Sequence, residues 1–135
     1  MPKSNKAGLN IKPIYATKAD KYYKRLAVGI VKQAVCDFYY FHKRIEHCNK
    51  MIEEIKTDKT RDPQKAKYAI ARYRSNIDQA NRELGYIKIF FYSDWIKMLI
   101  TFDGPTLYQH LEKLWANGVR GIYRESYFDW GEYHE

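Results

Sequence analysis

The stretch AVGIVKQAVCDFYYFHKRIEHCNKMIEEI, residues 27–55, decides the fold because an apolar side chain returns at every third or fourth position. The positions are Ala27, Ile30, Ala34, Phe38, Phe41, Ile45, Cys48, Ile52 and Ile55. Steps of three and four place these side chains on one face of an α-helix, which must pack against a partner. No proline interrupts the stretch, so we predict one long helix that starts at an N-cap, Thr17, and ends near Thr57.

A second helix of similar length is predicted after the polar segment TDKTRDP, residues 57–63. Asp62 is a favourable N-cap, and Pro63 suits the first helical position because its missing N–H has no partner there. The second apolar stripe consists of Ala66, Ile70, Tyr73, Ile77, Ala80, Leu84, Ile87 and Phe91. Two such stripes joined by a short loop predict an antiparallel helical hairpin. Gly85 weakens the second helix by about 1 kcal/mol relative to alanine.

Two short helices are predicted to follow the hairpin. Ser93 is a suitable N-cap for the first, in which Trp95, Met98 and Leu99 are spaced to face the hairpin. Asp103-Gly104-Pro105 forms a second break, and the last helix closes at Asn117-Gly118.

The predicted class is therefore all-α, a long antiparallel helical hairpin capped by two short C-terminal helices and preceded by a flexible basic arm. The arm is predicted over residues 1–16, the helical domain over 17–118, and an aromatic tail over 119–135. The hydrophobic fraction of 45% is sufficient for a folded domain of 135 residues.

The net charge of +8 is unevenly distributed along the chain. Residues 1–50 carry +8, residues 51–100 carry +3, and residues 101–135 carry −3. A basic N-terminal half favours phosphate backbones or acidic proteins as partners.

A row of basic residues, here called the lysine row, follows the face of the first helix opposite its apolar stripe. Its members are Lys21, Arg25, Lys32, Tyr39, Lys43 and Lys50. Their spacing places neighbouring members roughly 6–10 Å apart along the axis, which is compatible with successive phosphates of a nucleic acid. Tyr39, with Tyr40 beside it, could stack on a base. The alternative is a solvated helix face, which amphipathicity alone produces.

The C-terminal tail is too aromatic for an ordinary linker. We predict that it contacts a partner protein or a second copy of the chain through Tyr123, Tyr127, Phe128 and Trp130. The alternative is that the tail packs back on the helices.

The sequence gives weaker support to two other functions, nucleophilic catalysis and metal binding. Nucleophilic catalysis by Ser93 with His110 and either Asp103 or Asp94 needs a serine among small residues, whereas Tyr92 and Trp95 flank this one. A metal site has the wrong ligand spacing, because His42 and His47 are five residues apart and Cys48 falls on the apolar stripe. We therefore expect no enzymatic activity, no metal and no cofactor.

Two segments, AVGIVKQAVCDF (residues 27–38) and IKIFFYSDWIKMLITFDGPTLYQHLEKL (residues 87–114), resemble a pattern found in small proteins of phages and prophages of Gram-positive bacteria. That pattern joins A-I-(V/I)-x-Q-A-V-x-D-(Y/F) to F-F-x-S-(D/E)-W-(F/I)-x-x-L-T-x-x-D-G-x-x-L. The matching positions of the second block include Ser93, Asp94, Trp95, Asp103, Gly104 and Leu107. The chain differs in having Ile100-Thr101, Pro105 and the tail beyond Asn117. The resemblance implies an all-helical, phage-type accessory protein and no particular reaction.

The predicted function is accordingly binding, to nucleic acid or to a host complex that contains nucleic acid. Inhibition of a host defence nuclease, in the manner of anti-CRISPR proteins, is its most specific form. The alternative is a protein–protein or oligomerisation module without nucleic-acid contact, with a host protein or a second copy as partner. A polar start and no run of about 20 apolar residues predict a cytoplasmic protein without membrane contact, in the host cell if the chain is phage-encoded.

Overall fold

The computed structural model describes residues 21–100 and 103–119, which form four α-helices and no β-strand. Helix α1 covers Lys21–Thr57, α2 Pro63–Phe91, α3 Asp94–Leu99 and α4 Gly104–Ala116. The all-α class is confirmed, and so is the pairing of α1 with α2. The predicted arm, the Thr17 cap and residues 120–135 of the predicted tail lie outside the described residues.

The described helices belong to two compact units. One, here called the hairpin unit, is Tyr40–Tyr86, the second half of α1 and most of α2. The other, here called the corner unit, contains α1 through Tyr39 and the chain from Ile87 onward, and so includes α3 and α4.

Two cross-helix contacts give the register of the hairpin unit. Arg44 Nη2 donates to Asn76 Oδ1 at 3.4 Å, and the rings of His47 and Tyr73 lie 6.4 Å apart edge to face. Three residues forward on α1 therefore correspond to three residues back on α2, the relation of antiparallel helices.

The loop between the two helices is held by short-range polar contacts. Asp58 accepts hydrogen bonds from the Thr60 N–H at 3.0 Å and the Thr60 hydroxyl at 2.6 Å. Asp62 occupies the predicted cap position, and its carbonyl accepts from the Ala66 N–H at 2.9 Å. The predicted end at Thr57 and start at Pro63 are confirmed.

The predicted apolar stripes form the core of the hairpin unit. The buried members are Cys48, Ile52, Ile55, Ala80 and Leu84. Residues closer to the loop on α2, such as Ile70 and Tyr73, are half-buried. Each helix in this unit has one helical neighbour, so a single stripe on each is covered.

The corner unit buries a wider face of α1 than the sequence predicts. Val28, Val31, Val35 and Tyr39 are all buried there, although only Ala27 and Phe38 of the fully buried residues belong to the predicted stripe. Helix α4 contributes to this burial at Tyr39, whose ring lies 5.5 Å from that of Trp115, and also contacts Phe38, whose ring lies 5.5 Å from that of Tyr108. Burial, with Glu112 and Tyr92 nearby, raises the pKa of Tyr108 to about 12.

The junction between α2 and α3 differs from prediction in two respects. Ser93 stands at the N-cap position, but its hydroxyl donates back to the Phe90 carbonyl at 2.7 Å and forms no cap. The prediction that Trp95 and Met98 face the core is wrong, since they are 53% and 61% exposed. Leu99, the third residue of that prediction, is buried, and Ile96 and Ile100 are buried with it, because six residues fix no helical phase by pattern alone.

Helix α4 starts with a side-chain cap and ends in a glycine stop. Asp103 accepts from the Thr106 N–H at 3.0 Å and the Thr106 hydroxyl at 2.6 Å. Gly104, the first residue of α4, lies against the main chain of Phe91, where a Cβ would overlap the Phe91 carbonyl oxygen and come 2.8 Å from Ile96 Cγ2. At the other end Gly118 has φ of +85°, and the Val119 N–H donates to the Leu114 carbonyl at 2.9 Å. This is the Schellman arrangement, and it confirms the predicted stop at Asn117-Gly118.

Two glycines allow a matched test of this packing. Gly104→Ala should reduce the free energy of unfolding by about 1–3 kcal/mol, because the methyl group enters space held by main chain. Gly85→Ala should increase it by about 0.5–1 kcal/mol, because Gly85 lies within α2 with nothing within 4 Å of its Cβ position. Chemical denaturation of the two variants measures both effects. An unchanged or raised stability for Gly104→Ala would contradict the close approach.

The Asp103 cap should depend on pH. The hydrogen bonds from the Thr106 hydroxyl and N–H lower the pKa of Asp103. The stabilisation is therefore present above the unfolded pKa, near 3.9, and is lost as pH falls through the lower folded pKa. Asp103→Ala should lower the melting temperature by a few degrees at about pH 7, and this difference should narrow toward about pH 2. Thermal unfolding followed by circular dichroism measures it.

Asp103→Asn is the matched control, because asparagine retains a cap acceptor that does not titrate. It should remain close to the parent protein at neutral pH. An alanine penalty that is the same at both pH values would show that the carboxylate is not responsible.

Candidate nucleic-acid interface

The members of the lysine row lie in different surroundings. Lys43 and Lys50 are exposed in the hairpin unit, whereas Lys32 is half-buried in the corner unit. Lys21 and Arg25 fall in the first turns of α1, whose side chains lie outside the described part of the structure. The proposed partner-binding residues Tyr123, Tyr127, Phe128 and Trp130 also lie outside it.

Tyr39 is a correction to the predicted row. It is 1% exposed, with its ring 5.4 Å from Phe38 and 5.5 Å from Trp115. A ring packed in this way presents no face to a base. The reason is the broad buried face of α1 in the corner unit, which the spacing of the stripe did not reveal. Its neighbour Tyr40, in the hairpin unit, is exposed and stands 5.0 Å from the Phe41 ring.

Acidic residues interrupt the lysine row within the hairpin unit. Glu46 is exposed three residues after Lys43 and four before Lys50, and therefore lies between them on the same face. Glu53 and Glu54 follow Lys50 at three and four residues and are also exposed. This part of α1 is a surface of mixed charge, which attracts a polyanion weakly.

Helix α2 presents a more basic surface along the face opposite its buried stripe. The residues on this face, here called the outer row, recur at steps of four and three. They are Tyr68, Arg72, Ser75, Gln79, Arg82 and Tyr86. All six are exposed, and all belong to the hairpin unit. At 1.5 Å per residue the row extends about 27 Å.

The outer row contains no acid, and the N-terminal half of α2 carries none at all. Residues 63–77 hold four basic residues, Lys65, Lys67, Arg72 and Arg74, and no Asp or Glu. Asp78 and Glu83 flank the row near Arg82, but among the described residues neither forms an ion pair with it. Residues 63–77 therefore form a single-sign cluster with a local positive potential, and the exposed Asp78, four residues from both Arg74 and Arg82, reduces that potential at its C-terminal edge.

Sequence reasoning missed this surface, although its signal was present. The residues of the apolar stripe of α2 recur at steps of three and four. The residues of the outer row recur at the same steps on the opposite face of the helix. Its tyrosines, Tyr68 and Tyr86, lie on the exposed face, and this position separates them from the half-buried Tyr73.

The histidine and cysteine residues of α1 serve other purposes in the structure. His47 packs against Tyr73, and Cys48 is buried in the hairpin core. Burial, followed by the nearby Asp37 charge, raises the pKa of Cys36, which keeps that thiol protonated at neutral pH. Within the described residues, no three His, Cys, Asp or Glu side chains are placed to hold a metal ion.

The residues considered for nucleophilic catalysis have separate local contacts. Ser93 donates to the Phe90 carbonyl, Asp103 caps α4, and Asp94 pairs with Lys97 at 3.3 Å. Burial, with the Lys113 charge nearby, lowers the pKa of His110. No hydrogen bond among the described side chains joins Ser93 to His110.

The corner unit exposes large apolar side chains around the junction of α2 and α3. Ile89, Tyr92, Trp95 and Met98 are all exposed. Tyr92 is held in place by Gln109 Nε2, which donates to its hydroxyl at 3.3 Å, and by Lys88 Nζ, 5.7 Å from its ring centroid. Clustered exposed apolar groups are typical of protein-interaction sites.

No protein-family model matches the chain, and no curated protein or solved structure matches it significantly. Among the described helices, none combines the length and apolar character that crossing a membrane requires.

Proposed function

We propose that the protein acts by binding nucleic acid, or a complex that contains nucleic acid, through the outer surface of α2 in the hairpin unit. The observation that supports this is the run of four basic residues over 63–77 with no acid, on a helix whose opposite face is packed. Basic side chains on such a surface neutralise phosphates and release condensed counterions. Lys43 and Lys50 of α1 contribute less, because Glu46 lies between them.

The biological setting that fits this activity is an accessory protein of a phage, as the two sequence blocks suggest. Inhibition of a host defence nuclease is a specific form, in which the basic surface would occupy the nucleic-acid path of the nuclease. Cytoplasmic action and the absence of catalysis belong to the same proposal.

Binding should weaken steeply with salt and depend on α2 more than on α1. Fluorescence anisotropy of labelled oligonucleotides at about 50 and 200 mM salt measures both properties. Replacing Lys65, Lys67, Arg72 and Arg74 with glutamine should reduce the salt slope for duplex DNA by up to about 3.6, at 0.9 for each phosphate that is no longer neutralised. Lys43→Gln with Lys50→Gln should have a smaller effect per charge.

The matched control removes acids instead. Glu53→Gln with Glu54→Gln changes the net charge by two in the other direction on exposed positions of α1, and should leave binding unchanged or slightly stronger. Absence of binding to any nucleic acid at low salt would rule out the proposal.

A second candidate function, a protein–protein or oligomerisation module, is favoured by the exposed apolar residues of the corner unit. Here Trp95 and Ile89 would contact a partner or a second copy, together with the tail. Burial of an aromatic and an aliphatic side chain of this kind commonly anchors such contacts.

This second function predicts self-association that depends on the corner unit. Ile89→Gln with Trp95→Gln should shift the protein toward monomer in sedimentation analysis, whereas Tyr68→Gln, an equally exposed position of the hairpin unit, should not. Deletion of residues 120–135 tests the tail and retains Val119, whose N–H completes the end of α4. If the wild-type protein is a monomer at every concentration, the self-association hypothesis is wrong. If the deletion of residues 120–135 leaves the pull-down of a partner protein unchanged, the tail does not contribute to partner binding.

A further inference from the structure

We infer that the outer row of α2 is a site for single-stranded nucleic acid, with its tyrosines as stacking surfaces and its arginines as phosphate contacts. This inference rests on the proposed function and specifies the form of nucleic acid that the same surface takes. Its basis is the arrangement of ring and guanidinium groups on one exposed helix face.

The order of side chains along the row is symmetric. Tyr68 and Arg72 lie one helical turn apart at one end, and Arg82 and Tyr86 lie one turn apart at the other. Ser75 and Gln79 occupy the centre with shorter polar groups. Each end therefore pairs an aromatic face with a positive charge about 6 Å away along the axis, the two groups that a nucleotide with an unpaired base can engage together.

The tyrosines of the row are available for stacking. Tyr68 is 67% exposed and Tyr86 63% exposed. Neither ring forms an aromatic contact with another described residue, unlike Tyr39, Tyr73 and Tyr92. Stacking on such a ring tolerates any base, because every base has a π-face.

The positive charge of the surface favours a polyanionic ligand over a protein that has few acidic side chains. Arg72 and Arg82 stand about 15 Å apart, and Lys65, Lys67 and Arg74 lie on the flanks of the same helix. Arginine also stacks on bases through its planar guanidinium, so both residue types in the row can serve the same ligand.

The length of the row favours a single strand over a duplex. About 27 Å corresponds to roughly eight nucleotides at the 3.4 Å spacing of a stacked strand, and to fewer in an extended strand. A duplex offers its base faces only at its ends. Its major groove also winds around the duplex once in about 34–36 Å, so a straight α-helix can follow the groove over only part of that distance. Recognition helices therefore contact base edges with only three or four side chains. Tyr68 and Tyr86 could not both enter one groove.

The test compares a labelled 12-mer of oligothymidylate, the matching oligouridylate and a 12-base-pair duplex by fluorescence anisotropy at equal salt. The wild-type chain should bind at least one single strand more tightly than the duplex. Tyr68→Ala with Tyr86→Ala should weaken single-strand binding by about tenfold or more, while duplex binding changes little.

Two matched variants separate ring from charge. Tyr68→Phe with Tyr86→Phe retains both rings and should bind single strands like the wild type. Arg72→Gln with Arg82→Gln should reduce the single-strand salt slope by about 1.4, at 0.7 per phosphate. Lys67→Gln with Arg74→Gln removes the same charge off the row and should have a smaller effect on affinity. All these positions are exposed, so unchanged circular dichroism spectra and melting temperatures are expected.

The outcomes distinguish this inference from the function on which it rests. If duplex and single strands bind equally well and the alanine pair binds like the wild type, the stacking site is wrong while nucleic-acid binding stands. If an off-row pair lowers affinity as much as the row pair does, the row is not the site. If no nucleic acid binds, both proposals fail, and the interaction module of the corner unit becomes the leading function.

Discussion

The corner unit depends on the close approach of Gly104 to the main chain of Phe91. Because the first residue of α4 has no side chain, the helix can start directly against the last turn of α2. The Asp103 side chain caps the N-terminus from the residue before. Leu107, one turn later, is fully buried. These contacts fix where α4 begins, and α4 in turn buries Phe38 and Tyr39 of α1 through Tyr108 and Trp115.

This geometry gives most residues of the motif F-F-x-S-D-W followed by D-G-x-x-L a structural role. Phe91 supplies a buried ring and the carbonyl that Gly104 approaches, Ser93 binds the end of α2, and Asp103 caps α4. Each position has a packing or hydrogen-bonding reason that needs no substrate. Trp95 is the exception, because it is half exposed, with its ring 5.6 Å from Phe90. Function in this unit would therefore involve the exposed side chains around that ring.

The sequence was sufficient for elements that depend on local chemistry. Thr57, Pro63 and Asn117-Gly118 were placed correctly because loops, caps and glycine stops act over a few residues. Burial of Tyr39 was not predictable in this way, since it depends on α4, about 70 residues further along the chain. The phase of α3 was also undetermined, because a six-residue helix offers two candidate faces, and that of Ile96 and Leu99 is the one buried. The outer row was not predicted for a different reason, since its residues are of mixed type and share only their exposed position on α2.

The two faces of α2 in the hairpin unit are under different constraints, and this is why the outer row is informative. The inner face must be apolar to pack on α1, so its composition says little beyond the fold. The outer face has no helical neighbour within this unit, and folding alone requires of it only solubility and helix propensity. Lysine and glutamate would meet that demand better than tyrosine, a weaker helix former with a large apolar ring. Two rings about 27 Å apart, each one turn from an arginine, are therefore a feature of this face that the stability of the helix does not require.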